Sequence, residues 1–443
     1  MTGYWVGHGW LDGDVVDGLR LVSEAGRWVA LERAPRPAPG DQALPGLALP
    51  GLANTHSHAF HRALRGRTHD DGGTFWTWRD RMYALAARLE PESYLALARA
   101  VYAEMALAGV SAVGEFHYLH HRLDGTGYRD PNAFGQALIQ AATEAGIRIT
   151  LLDTCYLSGG LDALGHRPLR GIQLRFGDGD AAGWCRRVEA LAAAHEHTDR
   201  VRIGAAIHSV RAVPADQLAP VIDWADGRPL HAHVSEQPAE NAAALATYRR
   251  TPTALLAEHG FGGSLHTAVH ATHLSEADIA WYGSSGTNVS ICPTTERDLA
   301  DGIGPASALA AAGCTLTLGS DQNAVVDLLE EARALELNDR LATLHRGRFE
   351  LPQLIESLTD AGQASLGWPD AGRFAVGQRA DLIAVRLDTV RTAGTLPRQA
   401  VMAAGSPDID TVIVDGEVIV TGGRHKLGDV GALLAEAIAP LWA

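Results

Sequence analysis

Six side chains from four separated stretches could together hold a divalent cation and move protons beside it. His56 and His58 sit one residue apart at the end of the apolar run 49–55. Side chains alternate across a strand, so residues spaced i, i+2 share a face and can reach one ion at the zinc-to-nitrogen distance of about 2.0–2.1 Å. A bare His-x-His is more often just two polar residues at a strand end, and it gains weight only from partners elsewhere in the chain. His233 lies in a second apolar run, 229–234, with Glu236 three residues later, so a third ligand and an acid/base group arrive together. The run 314–318 leads into Gly319, Ser320 and Asp321, as a buried strand delivering a carboxylate would. Between them, His270 ends the short apolar run 268–270 and is a candidate for work beside the ion.

Three neutral imidazoles (His56, His58 and His233) and the Asp321 carboxylate leave a divalent ion net positive, with an open position for water whose pKa can fall to about 7. Glu236 is spaced to take a proton from that water and hand it to a departing nitrogen. His270 would polarise or orient the attacking hydroxide. Asp321 can ligate the ion and also accept a water proton. Glu236, His270 and Asp321 are therefore all assigned to catalysis, with the division of proton transfer between Glu236 and Asp321 left open. Zinc is the default ion, and iron or another divalent metal suits the same nitrogen and oxygen donors.

These residues need a scaffold that brings distant strand ends together. The chain has 443 residues, 46% of them hydrophobic, enough for a (β/α)8 barrel of about 250 residues with insertions and a small partner domain. From about residue 49 to 370, apolar strands alternate with alanine- and leucine-rich helical stretches, the pattern of βα units around a parallel sheet. Eight strands are expected: those ending at His58 and near Tyr118, then 148–152, 201–207, the His233 strand, the His270 strand, 288–292 and the Asp321 strand. The candidate residues fall at the carboxyl ends of strands one, five, six and eight, the barrel face that carries active sites. A doubly wound sheet is disfavoured, since no Gly-x-Gly-x-x-Gly turn follows the opening strand. The only lysine is Lys426, so binuclear sites bridged by a carboxylated barrel lysine are poor precedents and a single ion fits better.

Short strands around 4–6, 19–22 and 28–31 precede a linker at 35–50. Strands at 381–385, 411–414 and 418–420 come after the barrel, the last two forming a hairpin across Asp415-Gly416. The expected organisation is residues 1–48 and 371–443 as two parts of one small β domain, with 49–370 as the metal-dependent catalytic barrel.

The formal charge of −15 and pI near 5.7 argue against nucleic acid or an anionic membrane as partner, so an anionic substrate would require local arginines. Cys155, Cys185, Cys292 and Cys314 are far apart and form no Cys-x-x-Cys, which points to a reducing cytoplasm rather than a disulfide framework. No signal-peptide pattern and no run of 18 apolar residues is present.

The constellation His-x-His, His-x-x-Glu, His, Asp resembles the single-metal deaminases of the amidohydrolase superfamily over essentially the whole chain, and residues 377–382 are similar to that superfamily's motif for leaving the barrel. Within it, Phe75-Trp76-Thr77-Trp78-Arg79, residues 115–121 and residues 207–213 resemble the formimidoylglutamate deiminases of bacterial histidine breakdown. That resemblance implies hydrolysis of N-formimino-L-glutamate to N-formyl-L-glutamate and ammonia. Arg79, Tyr118, His208 and Arg211 would hold the glutamate part, since arginine forks suit carboxylates. It also implies a homodimer. Position 61 departs from the family pattern, which has glutamine where this chain has His61, and His61 either preserves a hydrogen bond to substrate or alters specificity.

Most of the 20 histidines need have no chemical role. His231, His273, His117, His120 and His121 are expected to be structural, Trp76 and Trp78 to pack, and Cys292 to be a buried strand residue rather than a nucleophile. The segment 68–81, rich in glycine, aspartate and aromatics, is expected to form part of a lid. Two other readings stand beside the deiminase. One is a related deaminase of another N-formimino acid or a heterocycle such as guanine. The other is a barrel relative kept as a non-catalytic assembly or binding protein, against which all six candidate residues are retained.

Overall fold

The computed structural model describes residues 1–69 and 72–443. Four strands open the chain: β1 (Thr2–Leu11), β2 (Asp14–Glu24), β3 (Arg27–Arg33) and β4 (Gln42–Leu49). Ten come next, β5 (Leu52–Ser57), β6 (Val110–His117), β7 (Arg148–Cys155), β8 (Gly160–Asp162), β9 (Gly165–Arg167), β10 (Val201–Ile207), β11 (Leu230–Val234), β12 (His266–His270), β13 (Asn288–Ile291) and β14 (Leu316–Leu318). Four more complete the set: β15 (Leu382–Val385), β16 (Ile409–Val414), β17 (Glu417–Thr421) and β18 (Arg424–His425).

Eight of these strands form a parallel sheet in the order β14-β13-β12-β11-β10-β7-β6-β5. A bridge between Ser57 and Asp321 joins its two ends, so the sheet closes into the expected (β/α)8 barrel. All eight expected strands are present. They are buried along nearly their whole length, as strands enclosed by helices outside and packed side chains inside must be. Hydroxyls bond across the barrel interior, Thr55 Oγ1 lying 2.8 Å from Ser290 Oγ and 3.1 Å from Thr317 Oγ1.

The remaining long strands make a second sheet from both ends of the chain, ordered β18-β17-β16-β15-β4-β1-β2-β3. Here the linker reading of residues 35–50 is corrected. β4 lies inside the sheet, parallel to β1 and antiparallel to β15. Pro45 and Gly46 made this stretch look like a connector. They fit because the β1–β4 register shifts between Val6 and His8, and because Gly46 has φ 71° with the Val385 carbonyl oxygen filling the space a Cβ would need. The β16–β17 hairpin turns through Asp415 (φ 49°) and Gly416 (φ 74°), the positive dihedrals that an Asp-Gly pair supplies.

A buried ion cluster ties the two sheets together. Arg148, at the start of β7, bonds both carboxylate oxygens of Asp381, and its Nη1 reaches Asp415 Oδ1 at 3.1 Å. Arg379 pairs with the same Asp415 at 2.9 Å. The motif at 377–382 is thus the place where barrel and terminal sheet are locked. Two small elements escaped the sequence reading: β18, and the β8–β9 hairpin after β7. Of the stretch expected as a lid, Asp70 and Asp71 lie outside the described residues, and its second half begins the helix Phe75–Ala86. Among the described residues no helix is long and apolar enough to cross a membrane.

Candidate metal centre and active site

His56 and His58 leave β5 at the barrel's carboxyl end, His233 lies in β11, and Asp321 follows β14. Their donor atoms converge. His56 Nε2 is 3.1 Å from His233 Nε2 and 3.2 Å from Asp321 Oδ1, while His58 Nε2 is 3.4 Å from each. Four donors at about 2.0–2.1 Å around a tetrahedral ion would be separated by about 3.3 Å, so these spacings fit a single divalent cation.

The hydrogen-bond pattern points the same way. His58 Nδ1 donates to the Phe116 carbonyl at 2.8 Å and His233 Nδ1 to the His208 carbonyl at 2.9 Å, which turns both Nε2 lone pairs toward the common centre. Burial lowers the pKa of His56, His58 and His233, keeping them neutral, and Asp321, despite burial, is held far below the ordinary carboxylate range by His56 and its neighbours. Three imidazole nitrogens and one carboxylate converging in this way are a set that a divalent cation would satisfy.

The backbone is shaped to make this possible. Ser235 (φ 52°), His270 (φ 68°) and Asp321 (φ 43°) all adopt left-handed conformations just where strands deliver these groups. Gly319 permits the approach of the first and last strands, since a Cβ there would lie 2.7 Å from His56 Cβ. Asn323 fastens the junction, its Nδ2 donating to the His58 carbonyl at 3.1 Å and to Ser57 Oγ at 3.2 Å.

Glu236 and His270 stand beside the four donors. His270 Nε2 lies 3.8 Å from Glu236 Oε1 and 3.9 Å from Asp321 Oδ2, and its Nδ1 faces Glu296 Oε1 at 3.4 Å. Burial opposes charge on His270, but Glu236, Glu296 and Asp321 carry its pKa up to about 10. A cation sharing Asp321 would weaken that pull. Glu296 escaped the sequence reading. Its oxygen also accepts from the Cys292 amide at 2.9 Å, and its only sequence signal is a carboxylate five residues after the end of β13.

A cavity of about 360 Å³ opens above these groups, and His58, His233, Glu236, His270 and Asp321 line its floor. His61, Arg79, Tyr118, His208 and Arg211 line the same cavity, so every candidate faces it except His56, which is buried behind the lining within the four-donor group. His61 Nε2 shares a 2.9 Å hydrogen bond with the Tyr118 hydroxyl, and its ring lies 4.5 Å from that of His58. The Arg79 guanidinium rests over Trp76 at 4.5 Å and Tyr83 at 5.4 Å, with Nε unpartnered. Arg211 Nη2 donates to Glu236 Oε2 at 3.3 Å. Phe75, Trp76, Trp78 and Tyr156 add aromatic walls, and the β8–β9 hairpin contributes Arg167 at the rim, another residue not foreseen.

The histidines expected to be structural lie outside the four-donor group. His117 and His120 do approach Asp153 closely enough to suggest a second metal. Both Asp153 oxygens, however, accept from the buried Arg187, at 2.9 and 2.8 Å, and Oδ1 also accepts from Trp184 Nε1, so a guanidinium already supplies the charge. His231 is fully buried with neither nitrogen partnered. Cys292 is buried, and burial raises its thiol well above the ordinary range.

Residues 47–419 match the model of the amidohydrolase family. The chain is 37% identical over 405 residues to a formimidoylglutamate deiminase of Pseudomonas aeruginosa, covering 88% of each. It is 30% identical to an 8-oxoguanine deaminase of the same species, over 88% of this chain and 85% of the relative. An amidohydrolase from Brucella melitensis superposes with a TM-score of 0.93 over 100% of both chains at 29% identity.

Proposed function

The chain belongs to the amidohydrolase family and is a hydrolase acting on carbon–nitrogen bonds, and from that premise we propose that it deiminates N-formimino-L-glutamate. Water adds to the formimino carbon, ammonia leaves, and N-formyl-L-glutamate remains. The observation that carries this reading is the presence of Arg79 and Arg211 in the wall of one cavity whose floor holds the three-histidine, one-aspartate group. A dicarboxylate with a planar amidine-like carbon matches both ends of that cavity.

His56, His58, His233 and Asp321 would hold the ion, zinc being the default. When bound, a divalent ion supplies the Lewis acidity that makes water acidic near neutrality. Glu236 takes the proton from water and returns one to the departing nitrogen, with Asp321 as a second acceptor. His270, held between Glu236 and Glu296, orients the attack and stabilises charge developing on the substrate. Arg79, Tyr118, His208 and Arg211 hold the glutamate part, the two guanidinium groups taking its carboxylates, while His61 preserves a hydrogen bond or alters specificity. The resemblance of residues 75–79, 115–121 and 207–213 to formimidoylglutamate deiminases would put the reaction in histidine degradation and implies a homodimer, and the four scattered cysteines suit a cytoplasmic protein.

The aromatic lining of Phe75, Trp76, Trp78 and Tyr156 favours a second reading, deamination of a flat heterocycle. Ammonia release from zinc-loaded protein given N-formimino-L-glutamate, N-formimino-glycine and guanine in parallel separates them, with His233→Ala as control. Turnover of the glutamate compound alone, lost in the control, is expected. Preference for guanine would overturn the substrate while keeping the reaction class.

A further inference from the structure

The carboxylate of Glu240 lies in the wall of the same cavity without an assigned task. Glu240 is 1% exposed, sits in the first turn of the helix Pro238–Tyr248, and among the described residues accepts no side-chain hydrogen bond at either oxygen. The cation facing it is Arg211, whose Nε is 3.7 Å from Glu240 Oε2 and is itself unpartnered. On the same forked edge, Arg211 Nη2 meets Glu236 at 3.3 Å. One half-buried arginine therefore bridges two carboxylates four residues apart. Burial pushes the Glu240 carboxyl up to about 7, against the pull of Arg211 and with a further push from Glu236, so this is a crowded and costly arrangement for a residue that only packs.

We propose that Glu240 is a positioning residue, holding Arg211 Nε so that the Nε/Nη2 fork does not close on Glu236 and the Nη1 end stays open to an anionic group of the substrate. A guanidinium has two forked edges, and a buried one beside a single carboxylate closes on it as a bidentate pair. Without Glu240, Arg211 would close on Glu236. That would withdraw both the anion receptor and the proton shuttle. This inference rests on the dicarboxylate reading above.

Glutarate binding to the zinc-loaded protein, measured by titration calorimetry, tests it alongside kcat and KM for N-formimino-L-glutamate. Arg211→Ala should weaken glutarate binding, and Glu240→Leu should weaken it about tenfold or more while also lowering kcat. Glu240→Gln keeps an oxygen to accept from Arg211 Nε and should stay within about threefold of the parent. Should the leucine variant fail to fold, Glu240→Asp, which draws the carboxylate back by one methylene, carries the same expectation. Parent-like affinity in the leucine or aspartate variant, or equal loss in the glutamine and leucine variants, would overturn the positioning role. If Arg211→Ala binds glutarate as the parent does, or the parent does not bind it, the dicarboxylate reading itself falls and takes this proposal with it.

Discussion

Asp321 meets His56 twice: its backbone amide donates to the His56 carbonyl at 2.9 Å, and its carboxylate Oδ1 lies 3.2 Å from His56 Nε2. The first contact belongs to the seam that closes the barrel between its first and last strands, together with the bond from the His58 amide to the Asp321 carbonyl at 2.9 Å. The second belongs to the four-donor group. Closure of the fold and assembly of the candidate metal centre are the same event, carried by the same residue.

That coupling predicts a metal-dependent stability. A ligand that binds only the folded state adds RT ln(1 + [L]/Kd), about 2.7 kcal/mol at a hundredfold excess over Kd. Stripping the ion with a chelator should therefore lower Tm by several degrees, and zinc should restore it. Asp321→Ala should bind little zinc and show no Tm response to it. Superimposable melts of stripped and zinc-loaded parent protein would show that the donors are preorganised without contributing to stability, or that they hold nothing.

Arg79 and Arg211 make a prediction about substrate class. Each, changed to alanine, removes a charged hydrogen-bond donor from the cavity wall, which should raise KM for N-formimino-L-glutamate about tenfold to a hundredfold. Arg211→Ala should also lower kcat, because Arg211 contacts Glu236. Steady-state kinetics decide it, and an unchanged KM in both variants would refute the dicarboxylate assignment.

Much of this was legible in the sequence because chemistry and geometry share one code. His56-x-His58 reports a strand end, and the eight apolar runs have the length and spacing of barrel strands, so fold and donor set were read together. What was hidden depends on contacts between distant positions. β4 was masked by Pro45 and Gly46, whose compatibility with a sheet rests on a register shift against β1 that no local pattern announces. Glu296 and Glu240 look like ordinary helix carboxylates until the barrel turns one toward His270 and the other toward Arg211. The pairing of His61 with Tyr118 likewise joins two positions 57 residues apart. The Asp153–Arg187 cluster shows the converse, since three metal-like residues there are explained by a guanidinium contributed from a helix far along the chain.

The ion cluster at the barrel's base should matter for stability and not for substrate binding. Arg148 is fully buried against Asp381, Asp415 and Gln363, at the amino end of β7, away from the strand ends that line the cavity. Arg148→Met leaves the buried Asp381 carboxylate without its partner, Asp415 keeping Arg379, and should cost about 3–5 kcal/mol in urea unfolding. The double change Arg148→Met with Asp381→Leu should recover part of that loss. KM of the folded fraction should match the parent. A change in KM without a change in unfolding midpoint would mean that the cluster communicates with the cavity instead of locking the two sheets.

Two histidines far from the four donors set an acid limit. Burial pulls the pKa of His120 down to about 4, with Arg187 adding to the effect, and burial alone does the same to His266. In the unfolded chain each would protonate near the ordinary value of about 6.5. A folded-state pKa depressed below the unfolded one means that the unfolded chain takes up the proton first. The stability is complete above about pH 6.5, declines as pH falls through the interval, and is fully lost below about pH 4. For His120 the interval is worth up to roughly 3 kcal/mol, at 1.36 kcal/mol per pKa unit. Urea midpoints of chelated protein at pH 7.5, 6 and 4.5 isolate this from metal binding, and His120→Gln, whose side-chain amide can still donate to the Thr154 carbonyl that His120 Nε2 reaches at 3.0 Å, should flatten the decline. If the glutamine variant lost stability with falling pH as steeply as the parent, the acid sensitivity would have to come from other groups.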